Sequence, residues 1–530
     1  MSANVRSKIS ALAVVIALVV AACAGIADPA VRAPDNEDAS AAPGINTGDV
    51  DQDGSQDNSA DSDEDAGTSD FATGNDSDQT SDDGSASAGV FGGETVGDAY
   101  YPDLGNTGYD VSHYDLTLVV DIPGEDQLRA TTVIDLTATA NLNRISFDFE
   151  DDLTVSDVSV DGVVATFEQT GTKLRVTPDE TLQAGSQYSI AVDYAGTPVL
   201  IDSGTRIGDI GWFDTPEVSV SVGEPFGARS WYPVNDHPID KATYTFRLDV
   251  DDDYTGVANG VLTEDATNAG RRLTTWEMRQ PMASYLATVA FGDFVLVQSD
   301  PGAGVEVFDA VPTRLENIFE GDFELTDEML VTFTELFGPY PFDEYGVLIA
   351  DTQLGFALET QGRSLFSSAF VDGDGSIERI VAHELAHQWF GNNVSPATWQ
   401  DIWLNEGFAT YAEELWVEFG RGVALSELET RLVARAETSL SPAPGDPGPA
   451  GLFDPSVYRR GGLTLHSLRL VVGDDDFFEI LKEWNVRFGG GVASTADFIE
   501  LSEEISGEEL DEFFDEWLGS GALPALGSVN

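Results

Sequence analysis

The sequence predicts an α+β chain of two folded domains: an antiparallel β domain, then a mainly helical one, behind a long unstructured lead. Three observations carry this. Apolar residues alternate with a period of two from about Tyr109 to Val297. After Pro301 they recur at helical spacing. Before about residue 95 neither period is present.

Composition sets the bounds. The 530 residues leave room for two or three domains, and 42% hydrophobic content supports a core. The chain carries 94 Asp+Glu against 25 Lys+Arg, a formal charge of −69. That excludes a general nucleic-acid binder, which needs a basic footprint, and disfavours docking on anionic lipid through surface charge. A single Cys allows no intramolecular disulfide and no cysteine-based zinc cluster. Any imidazole chemistry must come from His113, His237, His383, His387 and His466.

Residues 1–22 read as an export signal: Arg6 and Lys8 precede an apolar run from Ile9 to Val20, too short to remain as a spanning helix. The small residues before Cys23 resemble a bacterial lipobox, which implies cleavage there and a lipid on Cys23. The expected location is the outer face of a bacterial cell membrane. Residues 23–95 read as an acidic tether. Between Asp28 and Asp83 there are 17 acidic residues and one basic one, Arg32, with too little apolar surface to offset chain entropy. No regular repeat with calcium-coordinating spacing is found in it.

Residues 96–297 form the expected β domain. His113–Asp121, Arg129–Ala138 and Ser189–Asp193 alternate apolar and polar, and Asp161-Gly162 is a turn signal. Residues 298–520 form the expected helical catalytic domain, and 521–530 a tail.

The chemistry lies in the helical half. A helix is expected over Ile377–Phe390, where His383 and His387 are four apart and so share one face. Two imidazoles so placed suit one tetrahedral Zn²⁺, with Glu384 between them as the base acting on its water. A third His on the same stretch is excluded, because Phe390 and Asn393 stand where that arrangement has Gly and His. Glu406, on a second helix over Asp401–Trp416, follows His387 after 18 intervening residues, a gap that allows one loop and a return helix. The set reads as His383, His387 and Glu406 holding one Zn²⁺, with Glu384 taking the proton of the attacking water.

HELAH with NEGFATYAE 18 residues on resembles the gluzincin aminopeptidases of peptidase family M1, which include aminopeptidase N and the leukotriene hydrolase branch. Phe356-Ala-Leu-Glu-Thr360 resembles the family's GAMEN motif, Glu224–Pro233 its N-domain segment, and Tyr458-Arg-Arg-Gly461 its YEKG motif. The likeness runs from about Tyr109 to Leu518. It implies a thermolysin-like catalytic domain and release of N-terminal residues from peptides. Glu359 and Glu224 would bind the free α-amino group, Phe356 and Ala357 would contact substrate, and Tyr458 would hydrogen-bond the oxyanion. Two carboxylates there also act as an exopeptidase ruler, since a chain continuing past them would lose the ion pairs.

The sequence departs from the pattern at Phe356, Leu358 and Thr360, where GAMEN has Gly, Met and Asn, and at Arg459 and Arg460 in the YEKG segment. The chain ends soon after Phe514–Leu518, which resembles the close of the catalytic domain, so the large C-terminal helical domain of many members is expected to be missing and the cleft more open. The rival readings are a gluzincin endopeptidase and a non-catalytic surface lipoprotein. His113, His237 and His466 are expected to be structural, and Trp389, Trp403 and Trp416 to be core.

The acidity is not confined to the tether. Outside it, 77 acidic residues face 22 basic ones from Val90 onward, and Lys occurs only at 8, 173, 241 and 482. An acidic surface in a saline exterior is expected, where screening relieves self-repulsion.

Overall fold

The computed structural model describes residues 89–123, 127–299, 304–352, 354–519 and 521–527. The signal, Cys23 and nearly all of the acidic tether lie outside the described residues. Among those described, no helix is long and apolar enough to cross a membrane.

The period-two segments become long strands. Tyr109–Val120, Leu128–Ala138 and Gln187–Gly196 bury alternate residues and sit side by side in an eight-stranded sheet. Asp161 and Gly162 both take positive φ, 50° and 76°, as a two-residue hairpin turn requires. The β domain is not wholly antiparallel. Ala242–Asp251 lies parallel to Tyr109–Val120, because the long intervening stretch of chain returns it in the same direction. A second sheet of five strands contains Val218–Val222, which leads directly into Glu224.

Helical structure begins later than expected. Phe294–Ser299 pairs with Glu306–Pro312, and the sheet continues through Val347–Ala350 and Ser364–Ser367. A boundary at 297/298 therefore cuts a strand. Val347–Ala350 and Ser364–Ser367 are buried on both faces, so they show no alternation to read.

Three helices build the site, the histidine helix Glu378–Ala386, the glutamate helix Trp403–Leu415 and the tyrosine helix Pro455–Val472, and the arginine helix Leu425–Glu437 packs behind them. The histidine helix is shorter than expected at its C-terminal end. His387 keeps helical dihedrals and its N–H still reaches the His383 carbonyl at 3.2 Å, after which the chain turns through Gly391 at φ 118°. The glutamate and tyrosine helices cross at two glycines. A Cβ on Gly407 would lie 3.0 Å from the Gly461 backbone, so only this pair permits the approach that brings Glu406 and Tyr458 to one cavity. Trp389, Trp403 and Trp416 are fully buried around these helices, as expected of core. The tail folds back, with Arg460 Nη1 donating to the Gly521 carbonyl at 2.9 Å.

Candidate active site

One small cavity gathers the residues singled out from the sequence: Glu224, Phe356, Ala357, Glu359, His383, Glu384, His387, Glu406 and Tyr458. Cys23 lies outside the described residues. Ile207, Leu358 and Phe453 complete the wall.

Helical spacing places His383 and His387 one turn apart, with ring centroids 4.8 Å apart. Both present Nε2 to the carboxylate of Glu406: His383 Nε2 is 3.2 Å and His387 Nε2 3.5 Å from Glu406 Oε2. Their Nδ1 atoms are engaged elsewhere. His383 Nδ1 meets Glu413 Oε1 at 3.1 Å, and His387 Nδ1 donates to the Phe390 carbonyl at 3.0 Å. A proton held on Nδ1 leaves Nε2 as the metal-binding lone pair. Ligands of a tetrahedral zinc at about 2.0–2.1 Å are roughly 3.3 Å apart, which matches these separations, so the donor set fits Zn²⁺.

Glu359 approaches from the sheet side. Leu358 pairs with Leu365, beside the strand Ser364–Ser367, and the Glu359 carbonyl accepts from Gln388 Nε2 at 3.2 Å, tying the segment to the histidine helix. Glu224 comes from the β domain. Gly223 before it is packed so closely that a Cβ would lie 2.2 Å from the Tyr285 carbonyl. Tyr285 in turn donates to the Gly391 carbonyl at 3.0 Å, and Lys241 Nζ donates to the carbonyls of Asn392 and Asn393 at 2.8 and 3.0 Å. These bonds fasten the β domain to the turn after His387, which fixes Glu224 relative to the donor set. Carboxylate oxygens of Glu224, Glu359 and Glu406 lie within 4.8 Å of one another. Oε1 of both Glu224 and Glu359 is buried, with no hydrogen-bond partner among the described residues. Tyr458 stacks near the His383 ring, centroids 6.0 Å apart and planes 18° from parallel.

The electrostatics separate these acids. Burial pushes Glu384 up to about 8, against the pull of His383 and His387. Burial, reinforced by the neighbouring Glu359, drives Glu224 well above the carboxylate range. Burial also raises Glu359. Burial acts on Glu406 as well, but when the two histidines are protonated on both nitrogens their hydrogen bonds outweigh it and hold that acid at about 2. A divalent cation between the donors would add positive charge beside Glu384 and Glu359 and lower both.

Glu224, Glu359, Glu384 and Glu406 are each only 3% exposed. Ile207 of the β domain and Phe453 of the helical half line the wall. Beside them Arg206 Nη1 pairs with Asp454 Oδ2 at 3.0 Å, so part of the wall comes from the β domain itself. Sequence reasoning also missed Glu413, although it lies seven residues after Glu406, two turns along the same helix face. The three bland histidines stay outside the cavity; His237 pairs with Asp98 and His466 with the Tyr411 hydroxyl, both at 3.2 Å.

Two imidazoles and a carboxylate around a space for one cation, with a free glutamate beside them, define a zinc metallopeptidase. The chain belongs to peptidase family M1. The family's N-terminal domain model matches residues 111–286 and its peptidase domain model residues 322–517. An M1 zinc metallopeptidase from Deinococcus radiodurans, in a glutamate-to-alanine mutant bound to a Tyr-Ser-Ala substrate, aligns with TM-score 0.74 and 34% identity over 82% of this chain and 99% of its own. A structure described as a two-domain M1 zinc metallopeptidase bound to L-tryptophan aligns with TM-score 0.76. Among curated proteins, aminopeptidase B of Mus musculus is 28% identical over 56% of this chain and 48% of its own length. Aminopeptidase M1 of Arabidopsis thaliana is 26% identical over 58% and 37%. The chain thus spans half or less of the length of these curated relatives.

Proposed function

We propose that this chain is a zinc aminopeptidase that removes N-terminal residues from peptides. The observation that carries the reading is the pair Glu224 and Glu359, two buried carboxylates whose Oε1 atoms have no hydrogen-bond partner among the described residues, in the same cavity as the donor set. A buried acid without a partner is costly, and an incoming ammonium group relieves it.

His383, His387 and Glu406 would hold the Zn²⁺. The bound ion supplies a Lewis acid and acidifies water. Glu384 takes the proton of the attacking water at its carboxylate and passes it to the leaving amine as the C–N bond breaks. Burial raises the Glu384 carboxyl and a bound cation would lower it, so the two effects oppose each other at the proton-accepting oxygen. Tyr458 donates its hydroxyl to the substrate oxygen as negative charge develops there. Glu224 and Glu359 hold the α-ammonium, so the scissile bond is the first one of the peptide. Peptides with a positively charged N-terminus are also drawn by the field of a chain at −69. Export and a lipid on Cys23 belong to the same proposal and rest on the sequence around that residue; intact-mass analysis of the membrane-extracted protein tests them.

An aminoacyl-coumarin set against its N-acetylated form tests the activity. Turnover of the free amine alone is expected, and equal turnover of both favours an endopeptidase.

A further inference from the structure

Behind the metal-donor set lies a buried ionic cluster. In a chain with 25 basic residues against 94 acidic, three arginines converge on two adjacent glutamates. Glu413 and Glu414 are each 1% exposed. Arg379, on the histidine helix, reaches both: its Nη1 lies 3.3 Å from Glu413 Oε2 and 2.8 Å from Glu414 Oε1. Arg435, on the arginine helix, approaches the same two atoms at 3.8 and 3.3 Å. Arg431, one turn earlier, meets Glu414 Oε2 at 2.5 Å.

The two oxygens of Glu413 are divided between tasks. Oε1 faces His383 Nδ1, and Oε2 faces the arginines. A carboxylate pinned through one oxygen cannot rotate the other away from the imidazole. Arg379 and His383 are also four residues apart on one helix, so a single face presents both groups to Glu413. Glu414, closer to all three guanidiniums, keeps them in place.

Building on the zinc reading above, we propose that Arg379 and Arg435, acting through Glu413, are positioning residues that hold His383 with its Nε2 aimed at the metal. Outer partners of metal-bound histidines generally set ligand orientation, and their loss weakens metal binding by about 10- to 100-fold. The arginine helix, which carries no metal donor and does not line the cavity, thereby becomes part of the metal site.

The test uses the full chain loaded with Zn²⁺ and challenged with a competing chelator, and separately the Co²⁺-substituted chain read by its visible absorption. Arg379→Met is expected to lose zinc about 10- to 100-fold more readily than the unmodified chain and to alter the cobalt spectrum, while the thermal midpoint of the metal-free protein serves as the folding control. Arg435→Met, on a separate helix and one-fifth exposed, should move in the same direction and decides the matter if Arg379→Met does not fold. Zinc retention within threefold of the unmodified chain, with an unchanged cobalt spectrum, in whichever variant folds overturns the inference. An unmodified chain that takes up no zinc overturns instead the metal reading on which it rests.

Discussion

The cavity has two ends built from the same residue type. At the metal end, Glu406 faces His383 and His387, and behind it Glu413 lies between His383 and the arginines; those partners hold both acids below their ordinary range against the opposing effect of burial. At the other end, Glu224 and Glu359 are as deeply buried and are pushed up, because no protein cation is close enough to compensate fully; His387 reaches only to 4.0 Å from Glu359. The difference teaches that burial alone does not assign a role to a carboxylate. The partnered acids are structural parts of a metal site. The acids left under-compensated await a cation from outside, and on this account that cation is the substrate's N-terminus.

Four substitutions can break or sharpen this contrast. The largest effect is expected for Glu384→Gln, which stands between the two ends. It should lower kcat by about 10³–10⁴-fold while zinc content stays at one per chain, measured by turnover and metal analysis on the same sample. Tyr458→Phe should lower kcat by about 10²–10³-fold, with KM changed much less, as a loss confined to the transition state requires. Glu359→Gln should cost about 2–3 kcal/mol in kcat/KM, roughly 30- to 150-fold, for free peptides and leave hydrolysis of N-blocked ones unchanged.

The smallest effect concerns Asp98, a partnered acid outside the cavity. Burial pushes it up, but hydrogen bonds from His237 and from the N–H groups of Trp399, Tyr101 and Tyr100 outweigh burial and hold it at about 2. A carboxylate whose folded pKa is depressed contributes stability that is present above its unfolded value and lost as pH falls through the folded one. About 2 kcal/mol is therefore expected above roughly pH 4 and absent near pH 2. Asp98→Asn should flatten that part of the acid-denaturation curve with peptidase activity per folded molecule unchanged.

How much was legible in the sequence follows from what kind of signal each residue leaves. His383, Glu384 and His387 are fixed by helical period, and Glu406 by a gap that allows one loop and a return helix. Glu359, Glu224 and Tyr458 leave no spacing signal, since they come from a loop edge, a β-domain turn and a separate helix; only resemblance to a family identified them. Glu413 was available in principle, two turns beyond Glu406, but its partners Arg379, Arg431 and Arg435 are brought together only by packing. The catalytic sheet was missed because strands such as Val347–Ala350 are short and buried on both faces. Ile207 and Phe453 were missed as wall residues because they come from two distant segments of the chain.

The most direct test of the central claim is the preference for a free amine over an N-acetyl group, measured as a ratio of kcat/KM on one aminoacyl-coumarin pair, before and after replacing Glu224 and Glu359 together by Gln. The account predicts a ratio above about 10² in the unmodified chain, falling to near one in the double variant with zinc content unchanged. A ratio near one at the outset, or a preference that survives the double replacement, would contradict it.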